Sequence, residues 1–88
     1  MHAVVFEVDM NEGWESTVEA ELDYIVDSLG QVPGFKRGTW TTDGSVGLSL
    51  IVFESKEVAQ DVADNASLPP DSGATLRSAR VLEVVREA

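Results

Sequence analysis

The sequence predicts a single α+β domain, residues 1–88, whose elements follow one another in the order β-α-β-β-α-β. Four segments have the alternating apolar pattern or the β-branched composition of strands, and two have apolar residues at the spacing of an α-helix. Turn-forming residues separate these segments. Because each predicted helix has only one apolar face, we expect both helices to cover the same face of a four-stranded antiparallel sheet.

The first half of the chain predicts a strand followed by a helix. His2–Asp9 alternates between apolar positions on its two sides, which is the period of a strand. Trp14–Leu29 has the period of an α-helix, with Asn11 as its predicted N-cap and Gly30 as the predicted residue just after it. The apolar stripe of this helix consists of Trp14, Val18, Leu22, Ile25 and Leu29.

The second half predicts a hairpin, a helix and a last strand. Phe35–Thr42 and Val46–Glu54 are predicted strands, and Asp43-Gly44 between them is a strong hairpin turn signal. Ser55 is the predicted N-cap of the second helix, and Leu76–Arg86 is the predicted fourth strand. The apolar stripe of the second helix contains Val58, Val62 and Ala66.

This order of elements is the ferredoxin-like arrangement, which leaves one face of the sheet without helices. Leu48–Phe53 is apolar at nearly every position, so the third strand offers apolar side chains to that face as well. A large exposed apolar face is rare on a monomeric protein. Chains of this size also bury a small share of their surface and often gain stability from a partner. We therefore predict a homodimer in which two open faces pair.

Composition narrows the classes of partner and cofactor. The chain has no cysteine and one histidine, His2, which argues against disulfides and against a zinc site. Six basic and sixteen acidic residues give a net charge of −10, so nucleic acid and anionic membranes are not expected partners. No segment approaches the roughly 20 apolar residues of a membrane span, and no signal peptide is recognisable. We expect a cytoplasmic protein.

Two stretches resemble a known family: Pro33-Gly34-Phe35 followed by Gly38-Thr39-Trp40, and the run Leu50–Ala59. They resemble the antibiotic biosynthesis monooxygenase-like family of the dimeric α+β barrel superfamily. In that family a Pro-Gly-Phe turn opens the second strand, and an apolar third strand ends in an aromatic-acidic-Ser run that caps the second helix. The resemblance implies a barrel formed by two chains, with a ligand cavity between each sheet and its own helices.

The same family includes cofactor-free oxygenases of aromatic polyketides, isomerases and haem-degrading oxygenases. The haem-degrading members use an Asn on the first strand, with a Trp and a His near the second helix. Here His2–Asp9 contains no Asn, and Ser55–Ser67 contains neither Trp nor His. This departure disfavours haem degradation, and we expect no cofactor and no metal.

Four residues are candidates for ligand binding: Trp40, Tyr24, Glu7 and Phe53. Trp40, in the middle of its strand, offers a surface on which a planar ligand stacks, or it fills the core or an interface. Tyr24 offers either a hydroxyl to the cavity or a packed ring. Glu7 interrupts an apolar strand on the face predicted to line the barrel interior. It is either a buried carboxylate that needs a cation such as a strand arginine, or part of an ion pair across the dimer or at an exposed strand end. Phe53, from the apolar third strand, completes the set.

Two further residues are weaker candidates. Trp14 lies on the apolar stripe of the first helix, where an anchor for the helix end is the simpler interpretation, and His2 has no predicted partner as a general base. Two functions therefore stay open. The first is cofactor-free oxygenation or isomerisation of a small hydrophobic or aromatic molecule. The alternative is a non-catalytic ligand-binding or dimeric interaction module, and no catalytic motif decides between them.

Overall fold

A computed structural model describes all 88 residues of the chain. Its elements are strand β1 (His2–Met10), a 3-10 helix (Trp14–Ser16), helix α1 (Val18–Gly30), strands β2 (Phe35–Thr42) and β3 (Val46–Phe53), helix α2 (Lys56–Asp64) and strand β4 (Ala74–Glu83). The predicted ferredoxin-like order is confirmed. None of the helices is long and apolar enough to cross a lipid bilayer.

The strands form one antiparallel sheet in the order β2-β3-β1-β4. Residues that face each other on paired strands point to the same side, so the register defines two faces. We call the side that carries α1 and α2 the helix face, and the other side the open face. Side chains on the helix face include those of Val4, Phe6, Trp40, Ile51 and Phe53. Side chains on the open face include those of Val5, Leu48, Leu50, Val52 and Leu82.

The hydrophobic core lies at one end of the helix face. Its buried residues are Val4, Leu29, Ile51, Phe53 and Ala59. Phe35 packs the edge of its ring against Phe53, with 6.1 Å between the ring centroids and 65° between the planes. Helix α2 packs along β1, β3 and β4, whereas α1 joins the core mainly through its C-terminal half, where Ile25 and Leu29 lie. The N-terminal half of α1 therefore stands away from the sheet.

The start and end of the first helix differ from the prediction. Gly13 has a left-handed backbone (φ 82°) and opens a 3-10 helix, so α1 itself begins only at Val18. Asn11 is not the N-cap, because its side-chain amide donates to the carbonyl of Ser72 at 3.0 Å. Gly30 is the last helical residue and not a left-handed cap; the left-handed turn comes later, at Gly34.

The local signals of the second half are confirmed. The Ser55 hydroxyl accepts a hydrogen bond from the backbone N–H of Val58 at 3.2 Å, as an N-cap does. In the hairpin, Asp43 Oδ1 accepts two backbone N–H groups at 2.9 Å, and Gly44 supplies the positive φ. These bonds lower the pKa of Asp43. Strand β4 begins earlier than predicted, at Ala74, and ends earlier, at Glu83.

The predicted strand end is wrong because residues 84–88 leave the sheet and cross its open face. The Val84 N–H still donates to the carbonyl of Met1, but Glu87 then forms an ion pair with Arg37 on β2. Strands β4 and β2 are opposite edges of the sheet, so the segment passes over β1 and β3. Ala3 and Val52 are buried although they lie on the face without helices.

Candidate ligand cavity

A cavity of about 510 Å³ lies between the helix face of the sheet and the raised N-terminal half of α1. Its floor includes Phe6, Trp40, Gly47, Ser49, Ala74 and Leu76. Its wall includes Trp14 from the 3-10 helix and Val18, Glu21, Leu22 and Ile25 from α1. The loop after α2, residues 65–68, forms the remaining side. A mostly apolar hollow of this size with a few polar groups is typical of small-molecule sites.

Small side chains on the floor explain why the space is not filled. Gly47, Ser49 and Ala74 lie beneath the raised half of α1, while the larger Phe53 lies at the core end of the same face. At Gly47 a Cβ atom would lie 2.7 Å from the Val8 side chain, so the glycine leaves room for that side chain to lean over the strand. The side chains on the sheet are therefore small where the N-terminal half of α1 stands away from it, and the space between them stays unfilled.

The indole of Trp40 is half-buried and lies along its own strand. Its six-membered ring covers Gly38, where an added Cβ would come within 2.7 Å of the ring. The indole also packs against the edge of the core, and its register partner Ser49 places a hydroxyl beside it. On the other side of Ser49 the register places Phe6, so the middle of the floor is a row of two aromatic rings with one hydroxyl between them.

A polar attachment closes one end of the cavity. The Ser72 hydroxyl donates to Glu21 Oε2 at 2.6 Å, and the backbone N–H of Gly73 donates to Glu21 Oε1 at 2.7 Å. The bond from Ser72 is the main reason that the pKa of Glu21 lies below its usual value, and the bond from Gly73 adds to it. These two bonds fasten the loop before β4 to α1.

Gly73 allows this attachment to form. An added Cβ would lie 2.7 Å from the Thr17 hydroxyl, 3.2 Å from the Trp14 backbone and 3.3 Å from Glu21 Oε1. Asn11, the residue after β1, supports the same loop: its side-chain amide donates to the Ser72 carbonyl, and its backbone N–H donates to the Gly73 carbonyl at 2.8 Å. The loop, the 3-10 helix and α1 thus meet at one tightly packed point.

We expect this attachment to weaken in acid. Folding lowers the pKa of Glu21 from 4.5, so its stabilising contribution is complete above pH 4.5 and is lost as the pH falls through the lowered pKa. Thermal unfolding of wild type and Glu21→Gln, from neutral pH to below 4.5, measures this, and the gap in melting temperature should shrink as the pH falls. Glu19→Gln, a change at an exposed site on the same helix, serves as the control. A gap that stays constant with pH would contradict the expectation.

The structure brings only part of the predicted ligand-binding set to the cavity. Trp40 lines the floor, and Tyr24 lies at the rim with 74% of its surface exposed. Glu7 lies on the open face, where its carboxylate is 3.8 Å from Arg77, and Phe53 is fully buried in the core. Neither lines the cavity, because Glu7 has the opposite strand parity and Phe53 lies at the closed end. Ligand binding by Trp40 and Tyr24 stays a prediction.

The structure also shows where the weaker candidates lie and which residues of the cavity were not predicted. Trp14, predicted to anchor a helix end, also forms part of the cavity wall. His2 lies at the far end of β1 beside Phe53, outside the cavity, with its Nδ1 buried and without a hydrogen-bond partner. Sequence reasoning missed Glu21 and Ser72. A signal for Glu21 existed, since it is three residues after Val18 and therefore on the apolar side of the helix.

No protein-family profile and no curated protein matches the sequence. Solved structures do match. The structure of the heme-degrader MhuD from Mycobacterium tuberculosis, with two hemes bound in its active site, superposes with a TM-score of 0.73 at 18% identity, over 100% of this chain and 99% of that one. A mutant of MhuD with two manganese protoporphyrin IX molecules bound per active site gives 0.65 at 17% identity, over 100% and 98%. This likeness shows a shared fold.

Proposed function

We propose that the protein binds a small, planar, hydrophobic molecule in the cavity beneath α1. The observation that carries this proposal is the 510 Å³ apolar space with an indole on two sides, Trp40 on the floor and Trp14 in the wall. Aromatic rings offer flat surfaces for stacking on planar ligands. Ser49, between Trp40 and Phe6, supplies a hydroxyl to orient a ligand that carries a hydrogen-bonding group.

Cofactor-free oxygenation or isomerisation of such a molecule is the activity to test first, as the resemblance of the sequence suggests. A general base that removes a proton from the ligand would assist either reaction. The cavity lining contains no histidine, and its one carboxylate, Glu21, has a lowered pKa that makes it a weak base. This observation favours the second candidate, a protein that binds its ligand without transforming it. Product analysis after incubation of bound ligand in air separates the two.

The likeness to MhuD raises haem as a ligand, and the residues of this cavity do not fit it. Proteins hold haem iron through His, Cys, Met or Tyr. The lining contains no His, and only Met10 and Tyr24 are of these types. Tyr24 is largely exposed at the rim, and Met10 is folded over Gly47. No Lys or Arg lines the cavity to pair with the propionates. No cluster of three metal-binding side chains occurs in the chain either.

Tryptophan fluorescence tests the proposed function directly. The chain has two tryptophans, so Trp14→Phe leaves Trp40 as the only indole. We expect a planar aromatic compound such as 2-naphthol to quench this emission in a saturable way, because the indole lines the cavity. N-acetyl-tryptophanamide at the same concentration corrects for absorption by the compound. Emission that no naphthalene, indole or quinone derivative alters beyond this correction would refute the proposal.

We also propose that the protein works as a homodimer, in the cytoplasm, through its open face. Leu48, Leu50 and Leu82 lie on this face with 45%, 45% and 48% of their surfaces exposed. The same face carries both signs of charge, with Arg77 close to Glu7 and Asp9. A second copy of the chain therefore meets a matching surface, apolar at the centre and mixed in charge around it.

Replacing Leu50 by lysine is expected to weaken the dimer at least tenfold, because a charge would be buried at the centre of the paired faces. Sedimentation equilibrium at micromolar concentration measures the dissociation constant. Val26→Lys is the matched control, since Val26 is equally exposed, at 44%, but lies on α1. Wild-type protein that sediments only as a 9.5 kDa monomer would refute the dimer.

A further inference from the structure

The cavity distinguishes ligands by charge: we infer that it admits uncharged and cationic planar molecules and excludes carboxylates, and that Glu21 is the specificity-determining residue. This inference rests on the proposed binding function and names the class of ligand for the same site. It concerns the charged groups around the cavity, a property separate from its hydrophobic lining.

The first support is the composition of the lining. Among its 26 residues there is no Lys, Arg or His, and Glu21 is the only carboxylate. An anionic ligand in this space would lose its hydration without gaining a cationic side chain in return. An ionised carboxylate buried in that way is strongly disfavoured relative to its neutral analogue.

The second support is the fixed position of Glu21. Its two carboxylate oxygens are held by Ser72 and Gly73 at 2.6 and 2.7 Å, so the side chain does not swing away when a ligand enters. The same bonds keep it ionised at neutral pH, since they lower its pKa. Glu21 is therefore a permanent negative charge at the edge of the cavity, which repels an anion and attracts a cation.

The third support is the placement of the basic side chains. The first Lys or Arg of the chain is Lys36, so α1 and the 3-10 helix, which frame the cavity, contain none. Lys36 pairs with Glu54 at 2.9 Å, Arg37 pairs with Glu87, and Arg77 lies between two carboxylates on the open face. The exposed surface of α1 carries Asp23 and Asp27, which add to the negative potential near the rim.

The experiment compares three naphthalenes of nearly the same shape at neutral pH: 2-naphthol, 2-naphthoate and 2-naphthylmethylammonium. Dissociation constants come from fluorescence titration and calorimetry of the wild-type protein and of its variants. Glu21→Gln keeps a similar shape and can still bond to Ser72 and Gly73. Glu19→Gln is the matched control, because it removes one negative charge from an exposed site on the same helix.

We expect 2-naphthoate to bind at least about tenfold more weakly than 2-naphthol, since two like charges even about 12 Å apart at an effective dielectric constant near 20 repel by that factor. The ammonium compound should bind at least as tightly as 2-naphthol. Glu21→Gln should reduce the discrimination between anion and cation severalfold, while Glu19→Gln leaves it nearly unchanged. Added salt should narrow the gap in the wild-type protein and leave 2-naphthol unaffected.

The outcomes separate this inference from the function on which it rests. If 2-naphthol and the ammonium compound bind but 2-naphthoate binds equally well, the inferred discrimination by charge is wrong and the proposed binding function stands. If Glu19→Gln relaxes the discrimination as much as Glu21→Gln, Glu21 is not its determinant. If none of the three compounds binds, the proposed function fails and the inference falls with it. If Glu21→Gln does not fold, the salt dependence of the affinities in the wild-type protein tests the discrimination by charge.

Discussion

Replacing Phe53 by alanine is expected to lower the free energy of unfolding by about 3–5 kcal/mol, the usual loss when a large aromatic side chain is removed from a core. Phe53 is completely buried, and its ring supports both the core cluster and the edge of Phe35. Since the whole stability of a small domain is about 5–15 kcal/mol, this single change approaches the limit of what the fold tolerates.

Urea unfolding followed by far-ultraviolet circular dichroism measures this loss. The midpoint should fall while the slope with denaturant stays the same, because the surface exposed on unfolding hardly changes. Phe53→Leu is the matched control and should lose less than half as much, since most of the volume is retained. A loss below about 1 kcal/mol in Phe53→Ala would show that the ring does not support the core, and would reopen its role as a ligand contact.

Replacing Trp40 by alanine is expected to affect ligand binding more than folding. Ligand affinity should fall at least about tenfold, while the free energy of unfolding should fall by about 2 kcal/mol, less than for Phe53→Ala. The indole is half-buried and contacts the core on one side only, so its removal enlarges an existing cavity and does not open a new one. Calorimetric titration with 2-naphthol measures the first effect, and thermal melting measures the second.

Gly38→Ala is a companion variant that keeps the indole and moves it. The added methyl group would come within 2.7 Å of the Trp40 ring, so the ring must shift, while the backbone of Gly38 needs no positive φ. We expect weaker binding with only a small loss of stability. A Trp40→Ala protein that is unfolded at room temperature, or one that binds 2-naphthol as well as wild type does, would contradict the assignment of Trp40 to the cavity floor.

The features that depend only on neighbouring residues could be predicted from the sequence. The Ser55 cap and the Asp43-Gly44 turn are formed by hydrogen bonds between residues two or three positions apart, so the local sequence alone predicts them. Asn11 and Gly30 were misassigned for the opposite reason. Asn11 looks like a cap, but its side chain serves a residue 61 positions away, and Gly30 is not needed as a left-handed cap because Gly34 makes that turn.

The cavity required information that periodicity does not contain. The helical pattern shows that Val18 and Leu22 face the sheet, but it does not say how far α1 stands from it. That distance depends on Gly47 and Ser49 lying under the helix, and on Glu21 bonding to Ser72, 51 residues later. Strand parity was sufficient to group Glu7 with Ala3 and Val5 on the face without helices, and the register places Trp40 on the opposite face.

The uneven attachment of α1 also bears on how fast a ligand is exchanged. Leu29 holds one end of the helix in the core, whereas the other end is joined largely through Glu21 and the loop before β4. A segment held in this way opens locally at a free energy well below that of global unfolding. Such openings would widen the cavity and speed the exchange of the proposed ligand. Amide hydrogen exchange along Val18–Gly30 reports how often they occur.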